Sequence, residues 1–157
     1  MAADYVLDRI DRRILAALQA DGRLTNHALS EQVSLSPSAC LARVRRLERS
    51  GVIRGYHARV DPFALDVGLV LYAEVTLKGH SPDELGRFER LVQDLPAVVE
   101  ASHMTGDYDY LLKVVVADMA EWTRLAERMT EIGVDRINTH VMMNKPKFFV
   151  GYPVEIK

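Results

Sequence analysis

Lysine is absent from the first 61 residues, although ten arginines stand there against seven aspartates and glutamates. Residues 62–157 reverse the balance, with ten lysines and arginines against fifteen acids. A basic first part and an acidic second part point to two partners of different charge, set against the alternative of ordinary surface variation. Cysteine is nearly absent too. Cys40 stands alone, which excludes an internal disulfide, fits a reducing cytosol and reads as a small buried hydrophobe. No apolar run approaches the roughly 20 residues of a membrane helix. The opening "MAADYVLDRIDRR" has no apolar core of a secretory leader, so the expected location is the cytoplasm.

Chemical motifs are also missing. The five histidines, His27, His57, His80, His103 and His140, are scattered without metal-ligand spacing. Neither a phosphate-binding glycine loop nor a nucleophile elbow occurs. The aromatic strand signature of an RNA-recognition module is lacking. Nothing in the chain points to catalysis, a cofactor or a metal.

What is present is punctuation. In "SPSACLARVRRLERSG" Ser36 suits an N-cap, Pro37 the first helical position and Gly51 the C-terminal stop. Leu41, Val44 and Leu47 form an apolar stripe between those marks. Ser38, Ala42, Arg45 and Arg49 fall on another stripe, with Arg43 and Arg46 beside it. Small residues near a helix start allow close approach to base edges, and arginine grips guanine or neutralises phosphate. The competing reading is a solvated basic face partly paired with Glu48.

Upstream, Asp8 caps a helix whose Ile10, Ile14, Leu15 and Leu18 share a face, and Asp21–Gly22 stops it. Thr25 caps a shorter helix with Ala28, Leu29 and Val33 inward. A turn at Ser34 and Leu35 follows, so the second and third helices read as helix-turn-helix. After Gly51 an extended arm is expected, with Val52 and Ile53 returning to the core and Tyr56 and Arg59 outward. Pro62 disfavours helix at Asp61. This divides the chain into a DNA-binding domain with its arm, 1–62, and a second domain, 63–157.

The second domain reads as βαββαβ, the ferredoxin-like α+β arrangement. Leu69, Leu71, Ala73, Val75 and Leu77 alternate as a strand. Ser81, Pro82 and Glu84 open a helix that buries Leu85, Phe88, Val92 and Leu95. Extended segments follow over Val98–Met104 and Tyr108–Val116. Asp118 caps a helix with Trp122, Leu125, Met129 and Ile132 inward and Gly133 at its end. A last strand puts Ile137, Thr139, Val141 and Met143 on one face. The opposite face, with Val70, Tyr72, Glu74, Thr76, Asn138, His140 and Met142, is too apolar for solvent and too polar for a core, which points to a homodimer. The alternating tail "KFFVGYPVEI" is expected to extend the sheet or cross to a partner. The loop "TGDYDY", residues 105–110, suits a small amphoteric ligand, with carboxylates for an ammonium and backbone N–H groups for a carboxylate. It equally suits a plain hairpin turn.

With "LDRIDRRILAALQADGR", "LSPSACLARVRRLERSGVIRGY" and "GDYDYLLKV" in this order, the chain resembles the Lrp/AsnC (leucine-responsive, feast/famine) transcriptional regulators over nearly its whole length. The resemblance implies a winged helix-turn-helix joined to an effector-sensing domain, dimers that assemble further, often to octamers, and amino-acid effectors. It assigns Ser36, Ser38, Arg43, Arg45 and Arg46 to the recognition region, beside Arg49 from the helix reading. It makes Thr105, Gly106, Asp107, Tyr108, Asp109 and Tyr110 part of an effector pocket, completed by the last strand from Thr139 to Met142 and including His140. Asn144 stands where relatives often carry an acid, and the "NKPKFF" stretch departs from the family pattern. The expected partner is double-stranded DNA with an imperfect palindrome. Two rivals accompany this reading: an architectural DNA-binding protein without a ligand, and an Lrp-like siroheme-decarboxylase enzyme using His103 or His140.

Overall fold

The computed structural model describes residues 5–155. Two compact units emerge: residues up to Ala58 together with the segment from Lys147, and Arg59–Pro146. In the first, every helix starts at a side chain that takes up a free N–H. Asp8 caps α1 (Arg9–Ala20), and Asp11 answers by accepting from the Asp8 N–H. Thr25 caps α2 (Asn26–Val33) and Ser36 caps α3 (Pro37–Arg49). Ser34, in the left-handed region at φ 58°, makes the turn between α2 and α3 tight. The three helices enclose Ile14, Leu29, Val33, Cys40 and Leu47. Burial pushes the Cys40 thiol up, which keeps it protonated.

The inward line of α3 differs from the expected stripe. Cys40, Val44 and Leu47 face the core, whereas Leu41 is 37% exposed. Val44 and Leu47 keep the places expected of them, and Cys40, three residues before Arg43 on the same side of the helix, takes the place expected for Leu41. At Gly51 (φ +74°) the chain reverses, and the Ile53 N–H donates to the Leu47 carbonyl at 3.1 Å. That returns Val52 and Ile53 to the core, as expected.

The second unit is a four-stranded antiparallel sheet, β1 (Leu69–Leu77), β2 (Val98–His103), β3 (Tyr110–Val116) and β4 (Val134–Val141), ordered β2-β3-β1-β4. Helices α4 (Pro82–Gln93) and α5 (Met119–Glu131) complete the βαββαβ order. Leu71, Ala73 and Val75 of β1, with Leu112 and Val114 of β3, meet Phe88, Val92, Trp122, Leu125 and Met129 in one core. Both helices therefore cover the same face. The other face carries half-buried Tyr72, Glu74, Thr76, Leu111 and Lys113. Val70, expected on that face, is buried.

Three expectations shift. The strands flanking the "TGDYDY" loop are shorter than read: β2 ends at His103 and β3 begins at Tyr110, with the Met104 N–H donating to the Asp109 carbonyl at 2.8 Å just beyond them. Met143 lies beyond β4 and is 91% exposed. The alternating tail forms no strand and groups with the helical unit. Phe88, 1% exposed, is the largest fully buried side chain of the sheet unit. Phe88→Ala should lower the unfolding free energy by about 3–5 kcal/mol in urea titration.

Candidate functional site

The arginines of α3 divide into two sets. Asp11 has no solvent exposure. An ionised carboxylate in that position persists only if its lone pairs are met. Here they are. Arg43 Nη1 donates to Oδ1 at 2.8 Å, while the Tyr5 hydroxyl (2.8 Å), Arg46 Nη2 (3.3 Å) and the Asp8 N–H (3.3 Å) all donate to Oδ2. Arg43 also reaches the Asp8 carboxylate at 2.6 Å. The Arg46 guanidinium lies 4.8 Å from the centre of the Tyr5 ring, a stacking that holds it against α1. Bonding to Asp8 and then Asp11 raises the Arg43 pKa. The Asp8 carboxyl is held below its ordinary range, first by the Asp11 N–H and then, against partial burial, by Arg43.

Arg43 and Arg46, expected on the DNA-contacting face, are thus turned to the start of α1. Helical spacing explains it: Arg43 is three residues after buried Cys40 and four before buried Leu47, and Arg46 is three further on. Both sit on the margin of the inward stripe. Arg45 and Arg49 are exposed and have no ion-pair partner among the described residues. With Ser38 and Ala42 they form the outward stripe of α3. Ser36 is consumed in part as the cap, accepting from the Ala39 N–H at 3.3 Å, and its hydroxyl lies 3.2 Å from that of Ser38.

The expected effector residues divide as well. Thr105, Gly106, Asp107 and Tyr108 line an open hollow of about 740 Å³, joined there by Glu74, Arg136 and Asn138. Arg136 Nη2 donates to the Asp107 carbonyl at 3.3 Å, fixing the guanidinium beside the loop. Asn138 donates to Glu74 at 3.3 Å, and His140 lies 3.3 Å from the other Glu74 oxygen. Arg136 was not singled out in the sequence. The alternation that puts Asn138 and His140 on the open face also puts Arg136 there, opposite Thr76 in the register.

The remaining expected residues serve the fold. Asp109 Oδ2 accepts from the Leu77 N–H at 2.7 Å, and Oδ1 lies 2.8 Å from His80 Nε2. Burial raises the Asp109 carboxyl, but the Leu77 N–H and His80 outweigh it and hold it below its ordinary range. Tyr110 turns to the helix side, where burial and then its bond to Glu89 push the phenol up to about 12. Thr139 also faces that side, accepting from Trp122 Nε1 at 3.1 Å. Met142 meets β1 through its backbone, its N–H donating to the Val70 carbonyl at 2.9 Å.

The two histidines offered for an enzyme do not converge. His103 stacks on Tyr110 at 4.6 Å on the helix side, while His140 is with Glu74 on the open side. Among the described residues no group of three histidines, cysteines or carboxylates could hold a metal. No described helix is long and apolar enough to cross a membrane.

Both units match family models: winged helix-turn-helix DNA-binding over residues 7–54, and the Lrp/AsnC ligand binding domain over residues 70–150. The chain belongs to the Lrp/AsnC family. It is 46% identical over 143 residues to the leucine-responsive regulatory proteins of Escherichia coli (strain K12) and Salmonella typhimurium, covering 90% of this chain and 87% of theirs. Among solved structures it is similar to an AsnC family transcriptional regulator from Agrobacterium tumefaciens, with TM-score 0.84 and 35% identity over 94% of this chain and 97% of that one. A transcriptional regulator from Neisseria meningitidis in complex with L-Met gives TM-score 0.85 and 33% identity, with coverage again 94% and 97%. This family member is a DNA-binding transcriptional regulator with a ligand-binding domain.

Two measurements check the site chemistry. Asp11→Ala removes the acceptor shared by Tyr5, Arg43 and Arg46 and should cost about 3 kcal/mol of stability in denaturant titration. Arg46→Ala should cost less than about 1 kcal/mol, because this half-exposed side chain keeps water as a partner. Asp8 and Asp109 have folded pKa values below their unfolded ones. Their stabilisation is complete above the unfolded value of about 3.9 and disappears as the pH falls through the lower folded values. The urea midpoint should therefore drop steeply below that pH, and less steeply in Asp109→Asn.

Proposed function

We propose that this regulator binds DNA as a homodimer through the outward stripe of α3 and that a small zwitterion, an amino acid, governs it from the hollow beside the "TGDYDY" loop. The observation carrying the first part is the exposed row Ser38, Ala42, Arg45 and Arg49, two small residues followed by two arginines without an ion-pair partner among the described residues. Such a row lets the helix start approach base edges while the arginines grip guanine or phosphate. A cytoplasmic dimer, completed across the open face of the sheet, sets two copies of α3 into successive major grooves about 34 Å apart and favours an imperfect palindrome. Further association of dimers follows the family pattern.

The ligand reading rests on charge. Arg136 and the backbone N–H groups of the loop suit a carboxylate, and Glu74 and Asp107 suit an ammonium, all around one hollow. The relatives named for leucine and the solved neighbour holding L-Met agree with that chemistry. The ligand acts by binding one assembly or DNA-affinity state better than the other, since equal binding shifts nothing.

Footprinting of the dimer on the region upstream of its own coding sequence should protect two major-groove faces one helical turn apart. Arg45→Ala should weaken binding by roughly 1–3 kcal/mol and relax the sequence preference at one position. Unchanged affinity and preference in the double variant Arg45→Ala, Arg49→Ala would overturn the α3 assignment. For the hollow, Arg136→Ala should weaken the amino acid that raises the melting temperature most by about tenfold or more, through loss of a charge-assisted bond. Equal calorimetric affinity in parent and variant would overturn the hollow assignment.

A further inference from the structure

The C-terminal segment belongs by sequence to the ligand-binding half but groups with the DNA-binding unit. Its attachment is made by backbone. Gln19 on α1 donates through Nε2 to the Tyr152 carbonyl at 2.9 Å and accepts the Tyr152 N–H on Oε1 at 2.6 Å. A carboxamide meeting both main-chain groups of one residue copies the pairing a neighbouring strand would provide. Seven residues back on α1, Arg12 Nη1 donates to the Glu155 carbonyl at 3.4 Å. Seven residues of helix rise about 10.5 Å. Three residues of extended chain span about 10 Å. The spacing of the two α1 side chains therefore fits that of the two tail carbonyls, with the tail running antiparallel to the helix.

Gly151 supplies a second observation. Its φ is +108°, and a Cβ placed on it would meet the Gln19 side chain at 2.6–3.1 Å. Only glycine fits both the backbone conformation and the close approach. Tyr152 itself is 77% exposed, with its ring edge-on to Phe149 at 5.1 Å, so the seat recognises the tail's backbone and the glycine rather than the tyrosine side chain.

We infer that α1 carries a docking seat for an extended peptide and that its occupant is this chain's own segment Lys147–Glu155, a strap whose seating transmits the ligand's effect to the DNA-binding unit. The transmission rests on the ligand reading proposed above. Its path is continuous in the chain. Arg136 and Asn138 of β4 line the hollow, β4 ends at Val141, and Met142–Pro146 lead directly into the strap. Arg12 directly follows Asp11 on α1, buried Ile14 lies between Arg12 and Gln19, and Asp11 holds α3. The strap gives the DNA-binding unit a second covalent tether besides the one near Ala58. A segment that docks or releases is the two-state element such a coupling requires.

The test compares the full-length parent with Gln19→Ala and Gly151→Ala. Amide exchange is read without ligand, and DNA affinity is read with and without L-leucine or L-methionine. The Tyr152 amide should be protected in the parent and exchange roughly tenfold faster in both variants. Ligand-free DNA affinity should stay within about twofold of the parent, because neither substitution touches the α3 stripe or Asp11. The change in DNA affinity caused by the amino acid should be lost. An unprotected Tyr152 in the parent overturns the seat. Equal ligand responses in the parent and in released variants overturn the transmission. A parent with protected Tyr152 whose DNA affinity answers neither amino acid counts against the ligand reading and the transmission, and supports the seat alone.

Discussion

The buried Asp11 carboxylate imposes the constraint on which the DNA-binding unit depends. With no solvent exposure, it must find donors within the protein, and two of the four it finds come from α3. The angle of α3 about its own axis follows from that demand. Once Arg43 and Arg46 are committed to α1, the helix cannot roll without stripping an ion from its partners, a cost several times that of an exposed pair. The roll that satisfies Asp11 is the one that buries Cys40 and Leu47 and leaves Ser38, Ala42, Arg45 and Arg49 outside. Core packing and the outward stripe of α3 are set by one interaction.

A related economy operates in the ligand-binding unit. Asp109 fastens the end of the hairpin loop to β1 and to His80. That leaves Thr105–Tyr108 projecting as the loop's free portion beside Arg136 and Glu74. The Asp109 carboxylate is thereby occupied by the fold, while Asp107 and Glu74 line the hollow. Alternation along the strands distributes the rest: odd-numbered Ile137 and Thr139 go to the helices, while even-numbered Arg136, Asn138 and His140 go to the open face.

Much of this was legible in the sequence, and the readable parts share a physical character. The caps Asp8, Thr25, Ser36, Ser81 and Asp118 all begin helices, because capping is decided by a side chain and an N–H within three residues of it. The strand of β1 and the inward residues of α4 and α5 were equally plain, since their periodicity is local and strong. Arg43 and Arg46 were not, because their destination lies 32–35 residues away on another helix. A clue was nonetheless present: both fall on the margin of the Cys40–Leu47 stripe, facing a helix that opens with two aspartates. Parity along β4 already set Thr139 and His140 on opposite faces; it was the resemblance that placed both in one pocket. The tail's seat was not readable, because one glutamine recognising backbone leaves no pattern in the peptide it holds.

The central claim is the division of labour on α3, with Arg43 and Arg46 inward and Arg45 and Arg49 outward. A salt titration of DNA affinity, run beside thermal melts on two double variants, tests it most directly. Arg45→Ala with Arg49→Ala should flatten the slope of log affinity against log salt by about 0.9 for each phosphate no longer neutralised and leave the melting temperature unchanged. Arg43→Ala with Arg46→Ala should lower the melting temperature and leave the slope of the remaining folded protein as it was. A flattened slope with undiminished stability in the Arg43, Arg46 variant would contradict the account.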